Sequence, residues 1–203
     1  MDLRGISIAM MAWLQAAMSA FAQPARPFPG LLGMPLPKAL RTDFFTFFHL
    51  EETGRQTSGG TTVVHFKPSG AGFRERVTLE ATVADGGKIA SIRLDLARQF
   101  IAGSQAVFAN DIAKSLLADG PPAADRAALG PLVDEIQSNR NANGIVLSAQ
   151  KPPPPPAMES DGYLTYLGKR QSYSRELTVC SLRLENSKQD SGEWLRIELA
   201  AKP

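Results

Sequence analysis

The stretch from Arg76 to Leu96 restricts the fold more than any other part of the chain. Val77, Leu79, Ala81 and Val83 alternate with Thr78, Glu80 and Thr82, a period of two that suits a half-buried strand and no helix. From Lys88 onward the apolar phase moves to Ala90, Ile92, Leu94 and Leu96, with Ser91, Arg93 and Asp95 opposite. Asp85-Gly86-Gly87 separates the two runs, and glycine supplies the positive φ of a tight hairpin turn. A loop of two or four residues pairs positions whose numbers sum to an odd value, so both apolar sets meet on one face. The hairpin is a scaffold and carries no chemistry of its own.

The flanking chain extends this sheet. Thr62, Val64 and Phe66 share one phase of a strand over Thr61–Lys67, closed by Pro68, and Ser69-Gly70-Ala71-Gly72 turns back toward the hairpin. Thr61 to Leu96 therefore reads as a three-stranded antiparallel meander, preceded by a polar loop over Arg55–Gly60. Phe108, Ile112 and Leu116, with Ala109, Ala113 and Leu117, then recur at helical spacing between an N-cap at Ser104 and a stop at Asp119-Gly120-Pro121-Pro122. A short helix to Leu129 and a second starting at Pro131 follow, the latter placing Leu132, Val133 and Ile136 against the sheet. Asn139–Gly144 reads as a turn, Ile145–Ser148 as a short strand, Pro152–Pro156 as a polyproline strut, and Tyr163–Leu167 as an edge strand. Tyr173–Glu185 changes apolar phase at Val179-Cys180, which a β-bulge would absorb, and Glu193–Leu199 alternates after an Asp190-Ser191-Gly192 turn. These elements define an α+β fold, an antiparallel β-sheet of about five to seven strands with two or three helices packed on one face.

Composition sets the boundaries. A chain of 203 residues with 43% hydrophobic and 21% charged residues is long enough for one well-filled core. A net charge of +2 spread along the chain lacks the concentrated basic footprint of a nucleic-acid binder. Residues 1–22 combine Arg4, an apolar run from Ile6 to Met18 and Ala20-Phe21-Ala22 before Gln23, the three regions of a cleavable signal peptide in order. The expected organisation is a signal peptide over 1–22, an extended proline-rich lead-in over 23–41 lacking helix or ladder, and a single domain over 42–203. The expected address is periplasmic or secreted, with no transmembrane span in the mature chain. Cys180 is the only cysteine, so no internal disulfide forms, and a thiol in an oxidising compartment is best buried.

No motif names a reaction. Asn139, Asn141, Asn143 and Gly144 mimic the opening of a calcium loop, but neutral side chains replace the carboxylates that a hard cation needs. Ser148-Ala-Gln-Lys151 matches S-x-x-K, yet it runs into Pro152 instead of opening a helix. Gly70-Ala-Gly72 lies between strands, where no helix N-terminus is available to phosphate. His49 and His65, the only histidines, could hold zinc with Glu51, but His65 lies opposite Val64 and Phe66 and points outward. No catalytic residue, metal site or cofactor is assigned. Phe44, Phe45, Phe47 and Phe48 are too many aromatics for one sheet face. They form either a central core strand or the lining for an apolar ligand or a protein partner's groove. The expected function is that of a non-catalytic, exported bacterial envelope protein binding an apolar ligand or a protein partner; a secreted hydrolase using dispersed carboxylates or a histidine is the alternative.

Overall fold

The computed structural model describes residues 30–102, 106–148, 172–189 and 192–202, with the backbone alone described over 139–148. Seven strands form one sheet: β1 (Leu50–Ser58), β2 (Thr61–Pro68), β3 (Val77–Val83), β4 (Ile89–Ala97), β5 (Ser172–Glu176), β6 (Cys180–Gln189) and β7 (Gly192–Ala201). Their order is β1-β2-β3-β4-β7-β6-β5, and every neighbouring pair is antiparallel. Four strands meander, the chain leaves through two long helices, and three strands return so that β7 pairs with β4 at the centre. The α+β architecture is the one the alternation implies.

The β3–β4 register follows from the two apolar phases, with Val77 opposite Leu96, Leu79 opposite Leu94 and Ala81 opposite Ile92. Between Thr82 and Val83 the register shifts, so Ile89 rather than Ala90 turns into the core. Gly86 and Gly87 hold φ of 90° and 75° in the turn, which favours glycine at both. The apolar face carries α5 (Ala106–Asp119) and α6 (Ala123–Ser148), whose Ile112, Ala113, Leu116 and Ile136 are fully buried. A Cβ at Gly120 would stand 2.6 Å from Leu199 Cδ1, so the chain leaving α5 touches the sheet as closely as a glycine permits.

Four expectations need correction. Arg55–Gly60 is not a loop: Arg55 to Ser58 complete β1, paired with β2 as far as Ser58 opposite Thr61, because Gly59 and Gly60, at φ of 55° and 81°, provide the reversal. Pro131 lies inside a single helix rather than starting a new one. Leu129, Leu132 and Ile136 fall on one helical face across it, and that continuous apolar stripe offsets the ~3 kcal/mol cost of an interior proline. The Ala128 carbonyl, in the turn before Pro131, accepts a hydrogen bond from Arg175 at 2.9 Å. The same helix runs through 139–148, replacing the expected turn and short strand. Finally, the phase change at Val179-Cys180 is no bulge but a chain reversal, Leu177 donating its N–H to the Cys180 carbonyl at 2.9 Å between β5 and β6.

The lead-in also departs from an unpaired extended strand where it is described. Its Leu31, Leu32, Met34 and Leu36 are buried, and Leu36–Ala39 forms one helical turn, α1. Backbone hydrogen bonds strap it to Asp119, Gly120, Gly87 and Ile89. The pull is apolar: leucines and a methionine interspersed among prolines find core contacts that outweigh the missing donors. The polyproline run, the Tyr163–Leu167 strand, Ser104 and residues 1–22 lie outside the described residues.

The opposite face of the sheet is wet and ordered by charge. In one cross-strand row His65, Glu80, Arg93, Glu198 and Arg183 stand opposite one another in turn. In the next, Asp95, Arg196 and Glu185 do the same. Arg196 donates Nε and Nη2 to Asp95 at 2.8 and 3.2 Å and Nη1 to Glu185 at 3.3 Å, while Arg93 Nη2 pairs with Glu80. The alternation of charge follows directly from polar residues at every second position, since opposed signs across strands attract and like signs repel.

Candidate functional site

The phenylalanine segment is helical: Asp43–Phe47 forms the short helix α2, and Phe48 follows it. A strand would bury Phe44 and Phe48 or Phe45 and Phe47, but not three rings together. Helical spacing places Phe44, Phe45 and Phe48 on one side, where they are 2%, 2% and 3% exposed. Phe47 falls outside that arc and is 70% exposed. Thr42 initiates the turn, its carbonyl accepting Phe45 and Thr46 N–H groups at 3.1 Å each.

All eight phenylalanines among the described residues join one network of ring contacts. Phe44 meets Phe45 and Phe48 edge-on at 5.4 and 5.7 Å, and Phe45 meets Phe66 of β2 at 5.1 Å. Phe48 contacts Phe108 of α5 at 5.5 Å, which stacks on Phe73 at 4.1 Å. Phe73 lies just after Gly70, in the single turn α3 (Ala71–Arg74), and Phe100 follows β4 in the short helix α4 (Arg98–Ala102). Edge-to-face and offset rings contribute beyond their buried area, so this network ties α2 and α5 to the sheet. Phe44, Phe45 and Phe48 serve as core, and Phe47 alone, 5.0 Å from the Phe48 ring, extends the network to solvent.

Two concavities adjoin α2. One, of about 580 Å³, is lined by Phe44, Phe47 and Phe48 with Thr46, His49, Ser115 and the Asp43 and Asp119 carboxyls. The other, of about 550 Å³, is lined by Leu31, Met34 and Phe44 with Lys38, Arg41 and Thr42 and again Asp43 and Asp119. Sharing Phe44, Asp43 and Asp119, they make one groove with an apolar floor and a charged rim. Burial pushes the Asp119 carboxyl above its ordinary value; Arg126 opposes and Asp43 adds to that shift. His49, with φ of 48°, holds the left-handed turn from α2 into β1, a conformation costly for a side-chain-bearing residue.

Leu31, Met34, Lys38 and Arg41 escaped the sequence reading because proline spacing suggested an unpaired lead-in. The signal that could have found them is the run of Leu31, Leu32, Met34 and Leu36 itself. The structure does not gather His49, His65 and Glu51: His49 borders the groove while His65 stands on the wet face, 3.3 Å from Glu80. Among the described residues no group of three or more His, Cys, Asp or Glu could hold a metal ion, and no helix is long and apolar enough to cross a membrane. The chain matches no protein-family model, no curated protein and no solved structure.

Proposed function

We propose that this chain is an exported, non-catalytic binding protein of a bacterial envelope, and that it takes a small apolar or amphipathic ligand into the groove beside α2. The observation that carries the reading is Phe47, a large aromatic left 70% exposed at the lip of that groove. Its three neighbours in the cluster are buried on the other side of α2, and helical spacing turns Phe47 out to the solvent side of the lip. Each half of the groove falls in the 300–1,000 Å³ range of small-molecule sites. The charged rim of Lys38, Arg41, Asp43 and Asp119 suits a ligand with a polar head and an apolar body. Export rests on residues 1–22, whose short charged start, apolar run and Ala-x-Ala ending meet the needs of a signal peptidase.

Two measurements test the reading. The intact mass of protein from a periplasmic fraction should match a chain starting at Gln23; full-length protein confined to the membrane fraction would refute a cleaved signal peptide and make residues 1–22 an anchor instead. A lipid extract of the native preparation, added back to stripped protein, should raise the melting temperature, because a ligand that binds only the folded state stabilises it by mass action. An unchanged melting temperature over the whole titration would argue for a protein partner instead.

A further inference from the structure

We propose a second binding site, on the wet face of the sheet, for a small molecule bearing an oxyanion, carboxylate or phosphoryl. The face is concave. Thr53 on β1 and Gln189 at the end of β6 line the same cavity of about 460 Å³, although four strands separate β1 from β6. In a flat sheet those strands would stand ~24 Å apart. The sheet therefore curls toward its open side, and Lys67, Thr78, Arg93 and Arg196 face into the recess that results.

The recess holds more donors than its own acceptors use. Asp95 is consumed by Arg196, which grips both of its oxygens. Glu80 is shared by Arg93 Nη2 and His65 Nδ1. Arg93 Nε lies buried without a hydrogen bond, 3.7 Å from Asp95 Oδ2. Among the described residues the Lys67 ammonium is held by Glu75 alone, whose side chain is 77% exposed, and such a solvated partner gives way readily to a competing anion. The Thr78 hydroxyl lines the same recess. A planar guanidinium not fully paired by its neighbours, lining one recess with an ammonium and a hydroxyl, suits an oxyanion, which accepts several charge-assisted hydrogen bonds at once. A cation would find both carboxylates already engaged. The site is separate from the groove, so it stands whether or not an apolar ligand binds there.

The test uses two probes, inorganic phosphate and citrate, titrated into the intact protein at constant ionic strength set with chloride, with calorimetry and melting temperature as readouts. Saturable binding of either probe, accompanied by a rise in melting temperature, is expected; phosphate alone would identify a phosphoryl ligand and citrate alone a carboxylate. Arg93→Gln and Lys67→Gln should each weaken that binding by about tenfold or more, the loss of one charge-assisted contact, while Phe47→Ser should leave it unchanged. Should Arg93→Gln fail to fold, Lys67→Gln and Thr78→Val, both on the wet face, carry the test. Absence of a saturable response to both probes, or equal affinity in the Lys67→Gln and Thr78→Val variants, would overturn the proposal.

Discussion

Asp125 and Cys180 are joined across the molecule: the Asp125 carboxylate in the first turn of α6 accepts the backbone N–H of Cys180 at 3.0 Å. It also accepts those of Thr178 and Val179, at 2.7 and 2.9 Å. One buried side chain thus clamps the start of a long helix to the β5–β6 reversal. Burial works to raise its pKa, but the hydrogen bonds from Val179, Cys180 and Thr178 outweigh it and bring the value from 3.8 down to about 2. A carboxylate favoured in the folded state stabilises the protein above its ordinary pKa and loses that contribution as pH falls through the lowered one. The clamp should therefore contribute roughly 2 kcal/mol above about pH 4, fading toward pH 2. Urea midpoints measured across that window should decline more steeply in the native protein than in Asp125→Asn. Parallel declines would remove the clamp from the account.

The thiol at the same junction should be inert. Cys180 is fully buried, and burial, reinforced by Asp125, pushes its pKa up to about 12. Since thiolate is the reactive form, labelling by a maleimide should be slow in the folded protein and fast in denaturant. Prompt labelling of the native state would mean that the β5–β6 reversal opens on its own.

Arg196 and Asp95 make a pair whose members are unequal in exposure, the aspartate being 4% exposed. Removing the arginine takes both of its hydrogen bonds from the buried carboxylate and leaves it the more distant Arg93 Nε at 3.7 Å, so Arg196→Met should cost about 3 kcal/mol, the low end for a broken buried pair, whereas Asp95→Leu with Arg196→Met should restore much of it. Chemical denaturation of the two variants separates these outcomes. Equal losses in both would assign the cost to packing of the arginine stem instead.

How far the sequence predicts this fold depends on how local each signal is. The body of the hairpin is legible because Leu79 and Ile92 each sit in a strict period of two; its turn end is not, since the shift between Thr82 and Val83 that brings Ile89 rather than Ala90 into the core leaves no mark on that alternation. Pro131 misled because its local preference is to begin a helix, while the stripe from Leu129 to Ile136 that overrides it depends on tertiary burial. Phe44 to Phe48 stand out by composition, but a run so uniformly apolar has no period, and nothing within it separates helix from strand. The charge rows are invisible as rows: Arg93 and Glu198 are 105 positions apart and become neighbours only when β7 returns beside β4. Long-range pairing of this kind leaves no mark on either segment alone.

The central claim, that the groove beside α2 holds an apolar ligand, is tested most directly by native mass spectrometry of protein purified from its own compartment, comparing the unaltered chain with Phe47→Ser and Phe44→Ser. The unaltered chain should carry an extra mass that organic extraction removes. Phe47→Ser, altering a ring that is 70% exposed, should fold normally and lose that mass, whereas Phe44→Ser should unfold, since it buries an unpaired hydroxyl and removes a core ring at ~3–5 kcal/mol. An unaltered chain with no extra mass, or a folded Phe47→Ser variant that retains it in full, would contradict the claim.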